Sequence, residues 1–280
     1  MTDSTASLPP EVVAEHGIVV VPLQVVIGAA VHEEGTPEAS PARVAAALRE
    51  FLPVSTSRPA PAVFAETYDR LATEGAEEII SLHLSGDMSG TFESAQLAAR
   101  DATVPVTAVD SRQVGVATGF AAVTAAQVVA AGGTAGEAAR AALERAAESS
   151  SLFYVDTLEY LRRGGRIGAA AALFGGALAV KPLLTIADGR VSTLEKVRTS
   201  GRALARLEDL AVERAGERQV DVSVSHLADA ERAGQLADRL RIRLAGNLDG
   251  RELWCGELGA VLGAHVGPGM LAVCVSPLPD

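Results

Sequence analysis

The pattern of apolar and polar positions changes character near the middle of the chain. In the first half, β-rich runs alternate with stretches of helical periodicity. Ile18 to Ile27 is a β-rich run containing Pro22, which predicts an edge or bulged strand, because proline cannot donate to a ladder. Pro41 to Leu52 and Pro61 to Thr73 predict helices that open on proline, where a missing N–H does no harm. Ile79 to Leu84 predicts a strand, Thr91 to Arg100 a helix and Val104 to Val109 a short strand. Gln113 to Ala131 is Ala-rich with little polar surface and predicts a long, buried helix. Thr134 to Ser149 predicts an amphipathic helix with a Glu and Arg face. Strands separated by helices imply a mostly parallel, covered sheet.

Hairpins mix with helices in the second half. Leu152 to Val155 predicts a strand, followed by a short helix that ends at Arg163 and is broken by Gly164 and Gly165. Lys181 to Ala187, Asp188-Gly189 and Arg190 to Lys196 form a hairpin signal. Ser200 to Arg214 and Ala228 to Leu244 predict surface helices, and Gln219 to Ser225, Arg251 to Glu257 and Met270 to Val275 predict strands. The expected fold class is α/β with two domains. Residues 1–150 would form a mostly parallel sheet with flanking helices, and residues 151–280 an α+β domain with a mixed sheet. The boundary falls near Ser149 to Ser151.

Composition narrows the function classes. A chain of 280 residues holds one large domain or two ordinary ones of ~100–200 residues. Lys plus Arg is 24 against 35 Asp plus Glu, a formal charge of −11. That balance argues against nucleic-acid binding, which needs a basic footprint, and against docking on anionic lipid. Aromatic residues are 4%, too few for base-stacking platforms. The 2 cysteines, Cys255 and Cys274, both lie in apolar runs. They offer neither a disulfide framework nor zinc spacing, so buried, reduced thiols are expected, with a bridge between neighbouring strands as the alternative. The N-terminus is polar, so no signal peptide is expected. The longest apolar stretch, Ile167 to Val180, is shorter than the ~20 residues of a membrane-spanning helix and contains three glycines. A soluble, cytoplasmic protein without metal is expected.

Four segments could carry chemistry. Ser85 to Thr91, SGDMSGT, stands between a predicted strand and a predicted helix. Glycines there let backbone N–H groups turn toward a ligand, and the helix start adds unpaired N–H groups and the positive end of its dipole. Ser85, Ser89 and Thr91 add hydroxyls, and the absence of Lys or Arg suits one small anionic head rather than a polyphosphate. Ordinary helix capping is the alternative. Ser55 to Pro61, STSRPAP, displays Thr56 and Ser57 on an extended lead-in before a helix, although taken alone it reads more readily as an ordinary cap. Gly263 to Gly269, GAHVGPG, sets His265 among glycines ahead of the last strand; a lone histidine more often serves as a local hydrogen-bonding group, but the rigid, close-approaching Gly-Pro-Gly loop after it favours a site. Leu158 to Gly168 places Arg162, Arg163 and Arg166 around a Gly-Gly turn. Complementing the helix dipole accounts for Arg162 and Arg163 but not for Arg166. Asp3 and Ser4 cap a helix or buttress the site. There is no phosphate-binding Gly-x-x-x-x-Gly-Lys-Ser/Thr loop and no Gly-x-Ser-x-Gly nucleophile elbow.

Taken in order, these segments resemble the DegV family. The resemblance is carried by TDSTASLP at Thr2 to Pro9, VPLQV at Val21 to Val25, TSRPAP at Thr56 to Pro61 and MSGTFESA at Met88 to Ala95. It continues in DSRQVGVATG at Asp110 to Gly119, DTLEYLRRGGRIG at Asp156 to Gly168, KPLLTIADGRV at Lys181 to Val191 and AHVGPG at Ala264 to Gly269. It implies a two-domain α/β protein that binds one long-chain fatty acid between its domains and is not itself an enzyme. Such proteins shield the acyl tail and present the carboxyl group to a fatty acid kinase, which makes an acyl phosphate. Carried over by position, the head-group contacts are Thr56, Ser89 and His265, with Ser57 and Gly90 close by. Arg162, Arg163 and Arg166 face the partner kinase. The resemblance implies no cofactor beyond the bound acid, no nucleic acid, and room for transient membrane contact.

Two positions depart from the family pattern. Met1 abuts the Thr-Asp-Ser segment where a full strand is usual, so that strand is shortened or starts upstream, and Arg58 stands where glutamine is usual, either adding charge near the head group or pointing to solvent. Two other readings stay open: a stand-alone small-molecule kinase or hydrolase using Ser89 or His265, and a lipid-sensing regulatory module.

Overall fold

The computed structural model describes residues 1–173 and 181–279. The first strand, β1 (Thr2–Asp3), is two residues long and leads into α1 (Pro10–Glu15). The Ile18 to Ile27 run is not one strand but two, β2 (Val20–Val21) and β3 (Gln24–Ile27). They part at Pro22, whose missing N–H ends the first ladder. β4 (Ala30–Glu33), which the hydrophobic pattern did not announce, returns antiparallel on β3. After α2 (Pro41–Arg49), β5 (Val54–Ser57) pairs with the other edge of β3, with Thr56 opposite Val25. The stretch expected as a lead-in or cap is therefore a strand.

The rest of the first half alternates as expected: α3 (Pro61–Thr73), β6 (Ile79–His83), α4 (Thr91–Ala99), β7 (Val106–Asp110), α5 (Val116–Ala130) and α6 (Ala135–Glu148). β1 runs parallel to β2, and β6 runs parallel to β7. The two pairs join through Leu82 N donating to Met1 O at 3.0 Å and the Met1 ammonium donating to Ile80 O at 2.7 Å. A parallel array β2-β1-β6-β7 results. Phe64, Tyr68, Ala95 and Ala98 of α3 and α4 cover one face, and the alanines of α5 and α6 cover the other.

The chain crosses into a second sheet at β8 (Ser150–Tyr154). There follow α7 (Glu159–Arg163), β9 (Lys181–Ala187), β10 (Arg190–Val197), α8 (Ser200–Ala215), β11 (Val220–His226), α9 (Ala230–Arg243), α10 (Ala245–Leu248), β12 (Trp254–Glu257), α11 (Ala260–Val266) and β13 (Leu271–Pro277). The strand order is β10-β9-β8-β13-β11-β12, antiparallel except for the parallel pair β11 and β12. Asp188 and Gly189 both take positive φ, +51° and +76°, as a primed two-residue hairpin turn requires. Leu207, Leu210, Leu236 and Leu240 of α8 and α9 seal one face of this sheet against Val220, Val222 and Val224. The opposite face looks toward α5 and α11.

The fold is thus mixed α/β, with parallel pairing in the N-terminal part and a mixed six-stranded sheet in the C-terminal part. The apolar stretch Ile167 to Val180 opens as a 3-10 turn, Gly168–Leu173, and its remainder, 174–180, lies outside the described residues. The expectation for the cysteines needs correction. Cys274 is buried, but Cys255 is exposed on the edge strand β12, and β11 lies between their strands, so they do not bridge. Among the described residues no helix is long and apolar enough to cross a membrane.

Candidate functional site

A cavity of about 450 Å³ lies between the inner face of the six-stranded sheet, α11 and the loops that follow β5 and β6. That is within the ~300–1,000 Å³ range of small-molecule sites. Its walls are mostly apolar, including Phe153, Ile186, Leu258, Leu262, Val266 and Met270. One group of polar residues, Thr56, Ser57, Arg58, Ser89, Gly90, Arg166 and His265, lines one end, and Ser151, Ser223 and Ser225 of the sheet line the cavity elsewhere. All five residues expected at a head group, Thr56, Ser57, Ser89, Gly90 and His265, therefore reach this cavity. Arg166 reaches it too, whereas Arg162 and Arg163 stay on the outer surface with Glu159, to which they bond at 2.7 and 2.8 Å.

Thr56 Oγ1 and His265 Nε2 lie 2.8 Å apart, joining positions 209 residues distant in sequence. His265 was expected in a loop, but it sits in the last turn of α11. The glycines at 259, 263 and 267 hide that helix from a pattern reading, yet its Val261 and Ala264 are buried against Leu23, Val25, Val44 and Leu48. Glu34, which the sequence reading missed, holds the helix start. Its Oε1 accepts from Val261 N at 2.7 Å, and burial pushes its carboxyl above the usual range, opposed by a hydrogen bond from Ser4. At the other end Gly267 is held at φ +77° against the Tyr160 ring, which leaves no space for a Cβ. The close approach expected of the Gly-Pro-Gly segment is real.

His265 is largely buried, and its pKa is pushed down to about 4, first by desolvation and then by the nearby Arg166 charge. It is neutral at pH 7. Its Nδ1 faces Gly164 and is buried without a partner. A buried lone pair is better tolerated than a buried orphan N–H, which places the proton on Nε2. Nε2–H then donates to Thr56 Oγ1, and the Thr56 hydroxyl proton is free to donate to an anion in the cavity. Ser89 Oγ lies 2.9 Å from Thr91 Oγ1 and accepts from Thr91 N at 3.4 Å, which leaves it a third bond toward the cavity. Arg166 is locked in place, with Nε donating to Met88 O at 3.1 Å and Nη1 to Gly164 O at 2.6 Å. Arg58 donates to Gly90 O at 3.0 Å and to Glu93 at 2.7 Å, and it packs so closely on Gly90 that a side chain there would collide. Of the SGDMSGT hydroxyls, Ser85 is not available. It is fully buried and donates to Gly189 O at 2.7 Å, stitching the loop to the β9–β10 hairpin.

The N-terminal segment both caps and buttresses. Asp3 accepts from Thr5 N at 3.0 Å, from His83 Nδ1 at 2.9 Å and from Leu84 N at 3.2 Å, fixing the start of the 85–91 loop. Ser4 Oγ accepts from Leu23 N at 2.9 Å. His83 Nε2 lies 2.7 Å from Ser81 Oγ, so Asp3, His83 and Ser81 are strung in the order of a nucleophilic triad. All three are fully buried outside the cavity, and Tyr68 donates to Ser81 at 2.9 Å. Ser81, where a nucleophile would stand, is fully enclosed and already bonded by Tyr68, so the array is structural. Among the described residues no cluster of three His, Cys, Asp or Glu could hold a metal.

The family model described as "Uncharacterised protein, DegV family" matches residues 1–278. A DegV domain-containing protein of Streptomyces coelicolor is 56% identical over 276 residues, covering 99% of this chain and 97% of that protein. Among solved structures, one described as "Fatty Acid Binding of a DegV family Protein from Thermus thermophilus" is 35% identical with a TM-score of 0.89, covering 99% of this chain and 98% of that one. A second, "Crystal Structure of DegV, a fatty acid binding protein from Bacillus subtilis", is 30% identical with a TM-score of 0.89 over the same shares. Sequence, fold and the ordered motifs agree, and the chain belongs to the DegV family.

Proposed function

We propose that this protein binds one long-chain fatty acid in the cavity and presents its carboxyl group to a fatty acid kinase. The observation that carries the reading is the meeting of Thr56 and His265 at a polar end of a mostly apolar cavity. The Thr56 hydroxyl and Ser89 would bond the carboxylate, while the fixed Arg166 guanidinium supplies positive charge. The tail would lie along the apolar walls. At ~0.8 kcal/mol per methylene, a dozen buried methylenes contribute on the order of 10 kcal/mol before ordering costs. The tail thus dominates affinity, and the head group sets orientation. Fatty-acid binding by the Thermus and Bacillus relatives supports the same ligand class here. Residues 1–150 and 151–280 act as two domains that clasp the acid between them.

The bound acid would supply the carboxylate, and the sequence has no Gly-x-x-x-x-Gly-Lys-Ser/Thr loop, so phosphoryl transfer falls to a partner that holds ATP. Arg162 and Arg163 flank the polar end on the outside and would meet that partner. The test is reconstitution. Oleate-loaded protein, a fatty acid kinase catalytic subunit and ATP should together yield an acyl phosphate, trapped by hydroxylamine as the hydroxamate. Omitting any one component should abolish the product. Equal turnover of free oleate by the kinase without this chain would contradict the carrier role. Turnover by this chain and ATP alone would favour a stand-alone enzyme.

A further inference from the structure

Strand β11 alternates with a purpose. Val220, Val222 and Val224 pack into the helix-covered core, while Asp221, Ser223 and Ser225 point to the opposite face. Ser223 and Ser225 line the cavity. Ser223 is 2% exposed, and its Oγ is buried with no hydrogen-bond partner. Ser225 makes no side-chain hydrogen bond among the described residues. In register beside Ser223 stand Cys274 of β13 and, beyond it, Ser151 of β8, whose Oγ donates to Gln113 at 3.1 Å. One row further on, Arg145 binds Asp221 and Ser276, each at 2.5 Å, and closes this end with polar groups.

This wall is remote from the head group. His265 ends α11, and the chain reaches Met270 just before β13; Ala272 and Cys274, the partners of Ser225 and Ser223, lie two and four residues beyond it, roughly 7 and 14 Å along the strand. If the serines served only to leave room for a tail, alanine would do so without leaving a buried hydroxyl unpaired. An alkyl chain lying on Ser223 and Ser225 would leave both unsatisfied. An oxygen on the ligand would satisfy them and be satisfied in turn.

We propose that Ser223 and Ser225 form a subsite for an oxygen function on the middle or far part of the acyl chain, so that the protein prefers a hydroxylated fatty acid over its plain counterpart. The proposal rests on the fatty-acid reading above. Oleate and ricinoleate, which differ only by a mid-chain hydroxyl, are the probes. Trp254, the single tryptophan, stacks on Phe120 at 4.7 Å beside this wall and reports binding by fluorescence. Wild-type protein should bind ricinoleate about tenfold more tightly than oleate, the ratio expected of one added hydrogen bond. Ser223→Ala with Ser225→Ala should erase that ratio while oleate binding stays equal or tightens, and Ser225→Ala alone should reduce it. A wild-type protein that binds oleate as tightly as ricinoleate would overturn the subsite and leave fatty-acid binding intact. So would a preference that survives in the double variant. Failure to bind either acid would overturn both readings.

Discussion

His265 functions as a neutral group, and its pH behaviour follows. In the unfolded chain imidazole takes a proton near pH 6.5, but in the fold burial and Arg166 lower that to about 4. Between those values the unfolded state binds more protons, so stability rises with pH. The contribution is fully present above pH 6.5 and is lost as pH falls toward about 4, amounting to at most roughly 3 kcal/mol. Urea unfolding across this window should show the wild type losing more stability than His265→Gln, and parallel losses would contradict the neutral buried state. Thr56→Val keeps the β-branched shape of β5 but removes the donor. It should weaken oleate binding about tenfold or more by calorimetry, as expected for a bond to a charged acceptor, whereas Thr56→Ser should retain most of the affinity. Wild-type affinity in Thr56→Val would remove Thr56 from the head-group site. Thr56, Ser89 and His265 were readable as candidates from their settings among prolines and glycines. Arg58 and Arg166 were not readable as cavity walls, because a charged side chain can turn outward or inward and only packing decides.

At the scale of elements, local signals were strongest where chemistry is local. The Asp188-Gly189 hairpin and the proline-led α3 lie where the pattern put them. Thr134 closes a full capping box with Glu137 at the start of α6. β4, β5 and α11 escaped detection for a common reason. β4 is only four residues long and exposed at three of them, three of the four residues of β5 are hydroxylic, and α11 carries Gly263 inside it and Gly259 and Gly267 at its two ends. Tertiary contacts, not propensity, hold them, and two of the three carry the head-group site. α7 and α11 are fitted to each other at Gly164. That residue has φ −72°, so alanine suits its backbone, but a Cβ there would collide with His265 Nδ1. Gly164→Ala should therefore leave overall folding intact by circular dichroism while weakening fatty-acid binding by displacing the imidazole. Unchanged affinity would mean that the ring position does not matter. Glu34→Ala should act on the same helix from its other end, leaving Val261 N unpaired and lowering stability by about 1 kcal/mol in chemical denaturation. No loss would show that α11 needs no such clamp.

For the molecule as a whole, alternation of strands and helices made the parallel first half legible, and the hairpin made the mixed second sheet legible. The cavity was not legible from pattern alone, since Thr56 and His265 meet only when the folded halves are brought together. The deep polar wall shows the same limit. The Val and Ser alternation of β11 reads as a half-buried strand, but only the fold reveals that its serine face lines an internal cavity rather than the outer surface. Every step of the proposed function depends on that space holding a fatty acid. The most direct measurement is mass spectrometry of the organic extract of the purified protein, repeated after delipidation and exposure to oleate. About one fatty acid per chain, before or after reloading, is the predicted result. An extract without stoichiometric acid, together with no uptake of oleate, would contradict it.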